Sequence, residues 1–130
     1  MDEISQQRER RTVRENIRDD IAAYFTGQAE WRRQRVAEYP EDDRNSRSAD
    51  GLEELAAYVL SLDPMDGRLT EIGLRGWHDE VFFPKAGDSA EYAVARFRFH
   101  DPSESCEAFL LRLADLMRED DARSAATGEG

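Results

Sequence analysis

The sequence predicts a mainly α fold, a small domain of about four helices that opens on a long N-terminal helix. Three observations lead there. Apolar residues recur at steps of three and four in separate segments. Helix start and stop signals flank those segments. The one stretch with strand-like alternation is short and leaves room for a single β-hairpin near 81–99. At 130 residues the chain suffices for one core. Residues 1–120 read as one domain, with a long charge-balanced helix over 1–39, an acidic body over 40–120 and a disordered tail over 121–130.

The first helix rests on Val13, Ile17, Ile21, Tyr24, Phe25, Trp31, Val36 and Tyr39, which form one apolar stripe that Pro40 stops. From residue 5 to 38 it would measure about 50 Å at 1.5 Å per residue. A domain of this size is about 35 Å across. The helix must therefore break near Thr26-Gly27, or its start must overhang. The second helix covers Asp50–Leu62, with a start nearer Asp43 as the alternative. Asp50 and Glu53 stand at capping-box spacing, and Leu52, Leu55, Ala56, Val59, Leu60 and Leu62 make a broad apolar face. "DPMDG" at 63–67 is a turn, followed by a short helix or turn over Leu69–Leu74 that ends at Gly76.

Residues 81–99 admit two readings. "VFF" and "EYAVARFRF" could pair as strands across "PKAGDSAE". Asp88 and Glu91 at capping-box spacing, the alanines and the shortage of β-branched residues favour helix. The last helix is announced by Asp101-Pro102-Ser103-Glu104 as cap, first-turn proline and third-position glutamate. Its stripe is Cys106, Phe109, Leu110, Leu113, Leu116 and Met117, and "DDARSAATGEG" follows as tail.

Composition narrows function more by exclusion than by indication. The net charge is -11, and it is unevenly placed: residues 1–39 balance eight Arg against eight acids, so the whole deficit lies in 40–130. That disfavours nucleic acid and anionic membrane as partners. A lone cysteine, Cys106, excludes an internal disulfide, and the charged start and lack of a long apolar run fit a cytoplasmic protein with no membrane span.

The acidic stretch "YPEDDRNSRSADGLEE" at 39–54 has the look of a calcium loop. Counted from Asp43, Asn45 and Glu54 fall at ligand positions, but Arg47 and Ser48 stand where a ligand and the turn glycine are required. It reads instead as a helix connection. His78, Asp79 and Glu80, with His100 further on, could bind metal or move protons, yet no i,i+4 histidine pair exists. Cys106 lies on an apolar stripe and reads as a buried thiol. No phosphate loop, HExxH, GxSxG or CxxC is present, and no catalytic residue, cofactor or metal is expected.

These observations favour a non-catalytic interaction or regulatory module whose long first helix binds a protein partner or a second copy of the chain. Tyr24, Trp31, Arg32 and Arg35 are the expected contact residues, because aromatics and arginine dominate interfaces. Two alternatives stand beside it. One is an acidic inhibitor or antitoxin-like binder that masks a basic partner or mimics nucleic acid. The other is a small enzyme or metal-binding protein built on His78, Asp79, Glu80 and His100.

Overall fold

A computed structural model of the chain describes residues 3–78, 81–82 and 88–128. Helix α1, Glu3–Glu38, is unbroken. Thr26 and Gly27 lie inside it, with Thr26 Oγ1 donating to the Ala22 carbonyl at 3.1 Å. The length mismatch is therefore met by an overhang. Residues 3–13 are exposed, and full burial begins at Ile21. From there Ile21, Ala22, Phe25, Ala29 and Arg32 face the core. This inward phase runs through 25, 29 and 32, so Trp31 falls about 100° off it. Trp31 is 42% exposed although the apolar pattern placed it on the stripe, and Tyr39 is exposed as well.

A short connection returns the chain along α1 as α2, Asp43–Ser61. The start is the earlier of the two expected. Asp42 is the N-cap, its carboxylate accepting from the Arg44 amide at 3.0 Å. The Asp50–Glu53 pair is not a cap. Both residues lie mid-helix and accept from Arg33 of α1, at 2.8 and 2.9 Å. Leu52, Leu55, Ala56 and Val59 are buried as expected, whereas Leu60 is exposed. The turn at 63–66 is held by Asp63 and Asp66, which accept from the amides of Met65 and Arg68 at 2.8 and 2.9 Å. It leads to α3, Gly67–Gly76. Gly73 lets α3 close on α1, since a Cβ there would stand 2.6 Å from Ile17 Cγ2.

Two-residue strands follow, β1 (Trp77–His78) and β2 (Val81–Phe82), antiparallel with Trp77 opposite Phe82. Residues 88–95 are helix, α4, and 96–99 are turn, so the pairing of "VFF" with "EYAVARFRF" does not occur. The helix reading holds for the first half of that stretch. In the turn Arg98 has φ 58, a left-handed conformation that a side chain resists. Three bonds from α2 hold the turn. Ser48 Oγ donates to the Phe97 carbonyl at 2.8 Å, and Arg47 donates to the carbonyls of Arg98 and Phe99 at 2.8 and 2.5 Å. Gly51 of α2 leaves the space, because a Cβ would meet Arg98 Cδ at 2.8 Å.

Helix α5, Cys106–Gly128, begins four residues later than the proline signal suggests. Ser105 is its cap, accepting from the Ala108 amide at 3.0 Å. Asp101 instead holds the preceding turn, accepting from the Ser103 amide and hydroxyl at 3.0 and 2.6 Å. The segment read as a disordered tail continues this helix to residue 128. "REDDARSAAT" has three Ala and two Arg among its ten residues, contains no proline or glycine, and sustains the helix after the apolar stripe ends at Met117.

One core joins all five helices, with Phe25, Leu52, Ile72, Val94, Phe109 and Leu113 fully buried. Phe97, just past α4, stacks tilted on Phe109 at 4.6 Å between centroids. No helix among the described residues is long and apolar enough to cross a membrane.

Candidate functional site

Two surfaces on α1 stand out, one at each end. The N-terminal one is the overhang. Val13 is 45% exposed and Ile4 58%. Beside it runs a groove of about 760 Å³, walled by Val13, Ile17 and Gly73, with the exposed Met65 at its edge. Arg10, Arg14 and Glu9 line its polar side. Residues 3–18 hold five Arg against three Glu, so this part is locally positive in an acidic chain.

The second surface is built where α1 ends, α2 begins and α4 turns. Here aromatic rings and guanidinium groups alternate. Arg35 stands 5.3 Å from the Tyr39 ring and 5.7 Å from that of Trp31. Arg32 lies between Trp31 and Phe99, at 4.7 and 4.5 Å. Arg44 covers Phe99 at 4.7 Å. Arg96 of the α4 turn completes the cluster, its guanidinium over Tyr92. Arg32, Arg35 and Arg96, with the rings of Trp31, Tyr39 and Phe99, line a cavity of about 330 Å³, to which Asp42 and Asn45 contribute the remaining polar groups.

The expected contact residues separate on this frame. Trp31 and Arg35 are accessible. Arg32 is only 6% exposed and works inside the fold. Its Nε and Nη2 donate to the Ala95 carbonyl at 2.9 and 2.5 Å, and Nη1 donates to Asn45 Oδ1 at 3.0 Å. It thereby closes the C-terminus of α4, where a cation is favoured. Burial pushes its pKa down, and the neighbouring Arg96 and Arg35 charges add to that. Arg35 pairs within α1, with Glu38 at 2.9 Å. Asp42, bonded twice by the Arg44 side chain, is pulled down to about 2.

Tyr24 packs against the core, edge-on to Phe25. Burial, with the Glu91 charge adding to it, pushes its hydroxyl up to about 12. The neutral phenol is thus favoured in the folded state. Relative to an unfolded tyrosine near 10, stability is complete below pH ~10 and declines as pH rises through that value toward the folded pKa. An absorbance titration of the phenolate should show a late step near pH 12. Tyr24→Phe should remove that late step. A high-pH titration curve that Tyr24→Phe leaves unchanged in shape would refute the environment described.

The residues of the catalytic alternative are not assembled by what the structure describes. Asp79 and Glu80 lie outside the described residues. His100 is exposed, its ring edge-on to Phe99 at 4.9 Å. Among the described residues no group of three metal-ligating side chains converges. Cys106 is buried, and burial raises its thiol pKa, with the Glu54 charge next in effect. The acidic stretch at 39–54 is helix from Asp43 onward. Asn45, Arg47, Ser48 and Glu54, four residues of the supposed loop, hold Arg32, the 97–99 carbonyls and Arg98.

Sequence reasoning missed Met65 and Gly73 beside the overhang, and Arg44, Arg96 and Phe99 at the basic pocket. The glycine spacing could not announce a helix contact. Arg96 and Phe99 reach the pocket from more than 50 residues away in sequence. Comparison with protein-family models, characterised proteins and solved structures finds no match to this chain.

Proposed function

We propose that this protein is a non-catalytic interaction module whose projecting N-terminal helix engages a second copy of the chain. The observation that carries the reading is the overhang. Helix α1 has 36 residues, about 54 Å at 1.5 Å per residue, yet its first fully buried residue is Ile21. A helical segment without tertiary contact is marginal in water, so a partner would stabilise it. The groove beside it offers apolar contact through Val13, Ile17 and Met65.

Charge favours the second copy. The overhang is locally positive, and a matching acidic surface is the chain's own: residues 40–130 carry the entire net charge of -11. Such a contact brings unlike charges together while the apolar positions exclude water. Val13→Asp tests it, because Val13 is exposed and its replacement leaves the core intact. Sedimentation should show a wild-type dimer that the substitution converts to monomer, with an unchanged melting temperature. A wild-type chain that stays monomeric at about 100 µM, or a Val13→Asp dimer as tight as wild type, would defeat the proposal. A monomer that binds a different protein through the same face would leave the interaction but remove the self-association.

A further inference from the structure

We infer that the basic pocket at the C-terminal end of α1 binds a small phosphate-bearing anion, such as a nucleoside monophosphate. It lies about 27 Å along α1 from Val13 and stands independently of the self-association just proposed.

The first ground is an excess of cations over carboxylates. Arg32 is buried, and it donates to neutral acceptors, the Ala95 carbonyl and the Asn45 amide oxygen. A buried cation is ordinarily paired with an anion or strongly hydrogen-bonded. The C-terminal dipole of α4 compensates it only in part, since a helix end carries about half a charge. Arg96 has no carboxylate partner among the described residues, and Arg35 has only the exposed Glu38. The one acid in the pocket wall, Asp42, is held by Arg44. Three guanidinium groups thus face one cavity with a single surface carboxylate among them. This happens in a chain of net charge -11, so the cluster does not follow from composition.

The second ground is geometry. Arg32 lends the pocket its charge alone, since its Nε, Nη1 and Nη2 are engaged by Ala95 and Asn45, whereas Arg35 is held beside the rings of Trp31 and Tyr39 and bonds the exposed Glu38. A guanidinium held by its face presents its N–H fork edge-on, the arrangement that suits bidentate recognition of phosphate. The third ground is size. A cavity of about 330 Å³ is at the small end of ligand pockets, with room for a phosphate and a modest organic body. The exposed rings of Trp31 and Tyr39 at the rim offer surfaces on which a planar group can rest.

Calorimetric titration of the full chain with AMP, inorganic phosphate and adenosine decides the matter. AMP should bind with a Kd below about 1 mM, and adenosine should give no heat. Phosphate binding as tightly as AMP would assign the site to the free anion, and tighter AMP binding would assign it to the phosphomonoester. Either result supports the inference. Arg96→Gln should weaken binding about tenfold or more, consistent with loss of one charged fork, at unchanged helical signal. Arg35→Gln, which breaks an ion pair within its own helix, gives a second reading if Arg96→Gln does not fold. No heat from AMP at about 10 mM overturns the inference. So does an affinity untouched by both variants, or one lowered equally by Arg10→Gln in the distant overhang. Loss of self-association in the pocket variants, with no AMP binding in wild type, would make the pocket a protein contact instead.

Discussion

Arg32→Ala should be among the most destabilising single substitutions outside the apolar core, costing about 3 kcal/mol. The side chain donates three bonds that tie α1 to the end of α4 and to α2. Its removal leaves the Ala95 carbonyl and the buried Asn45 amide short of a donor, and opens space between Trp31 and Phe99. One effect runs the other way, because a buried cation carries a desolvation cost that alanine removes. The orphaned acceptors and the lost packing outweigh it. Arg32→Met separates the terms: it keeps most of the volume while deleting charge and bonds, so it should lie between wild type and alanine. Arg35→Ala, three residues on and paired only with exposed Glu38, should stay within about 0.5 kcal/mol. Urea unfolding of the four proteins measures the series. Equal effects at 32 and 35 would contradict the assignment of Arg32 to the interior.

Phe97→Ala should cost about 3–5 kcal/mol, the range for emptying a buried aromatic site. Phe97 is fully buried and stacks on Phe109 of α5. The residue also sits in the turn to whose carbonyls Ser48 and Arg47 donate, with Gly51 behind it. Losing the ring therefore loosens the junction of α2, α4 and α5 at once. Arg98, held left-handed in the same turn, adds conformational strain that the ring's packing helps to sustain. Thermal unfolding should show the drop. A change below about 1 kcal/mol would mean that the turn repacks without the ring.

Much of the fold is legible from local signals, and the departures share one cause. Helices α2, α3 and α5 follow from periodic apolar residues, and length arithmetic narrows α1 to a break near Thr26-Gly27 or an overhang. The caps were misplaced because several side chains with capping chemistry compete at each start. Asp42 and Asp50 both qualify at α2, and Asp101 and Ser105 at α5; packing against neighbours decides between them. Val13, Trp31 and Tyr39 of the expected stripe are exposed; at 31 hydrophobicity favours Trp31 for the inward face, while helical phase from Phe25 points to Arg32. Arginine hid there because a charged residue is assigned to solvent unless a partner is known, and its partners, Ala95 and Asn45, are 63 and 13 residues away. The basic pocket was half visible for the same reason. Arg32 and Arg35 share a helix, but Arg96 and Phe99 join them only through the tertiary fold.

Self-association, as proposed, covers the first turns of α1 with another chain. Hydrogen exchange of the backbone amides over residues 5–16, followed as protein concentration rises, tests it most directly. Association through this face predicts exchange close to that of an unfolded segment in dilute solution, slowing markedly as the dimer forms, while the amides around Ile21 and Phe25 remain protected throughout. Fast exchange over 5–16 at every concentration, or protection already complete in a monomer, would contradict it.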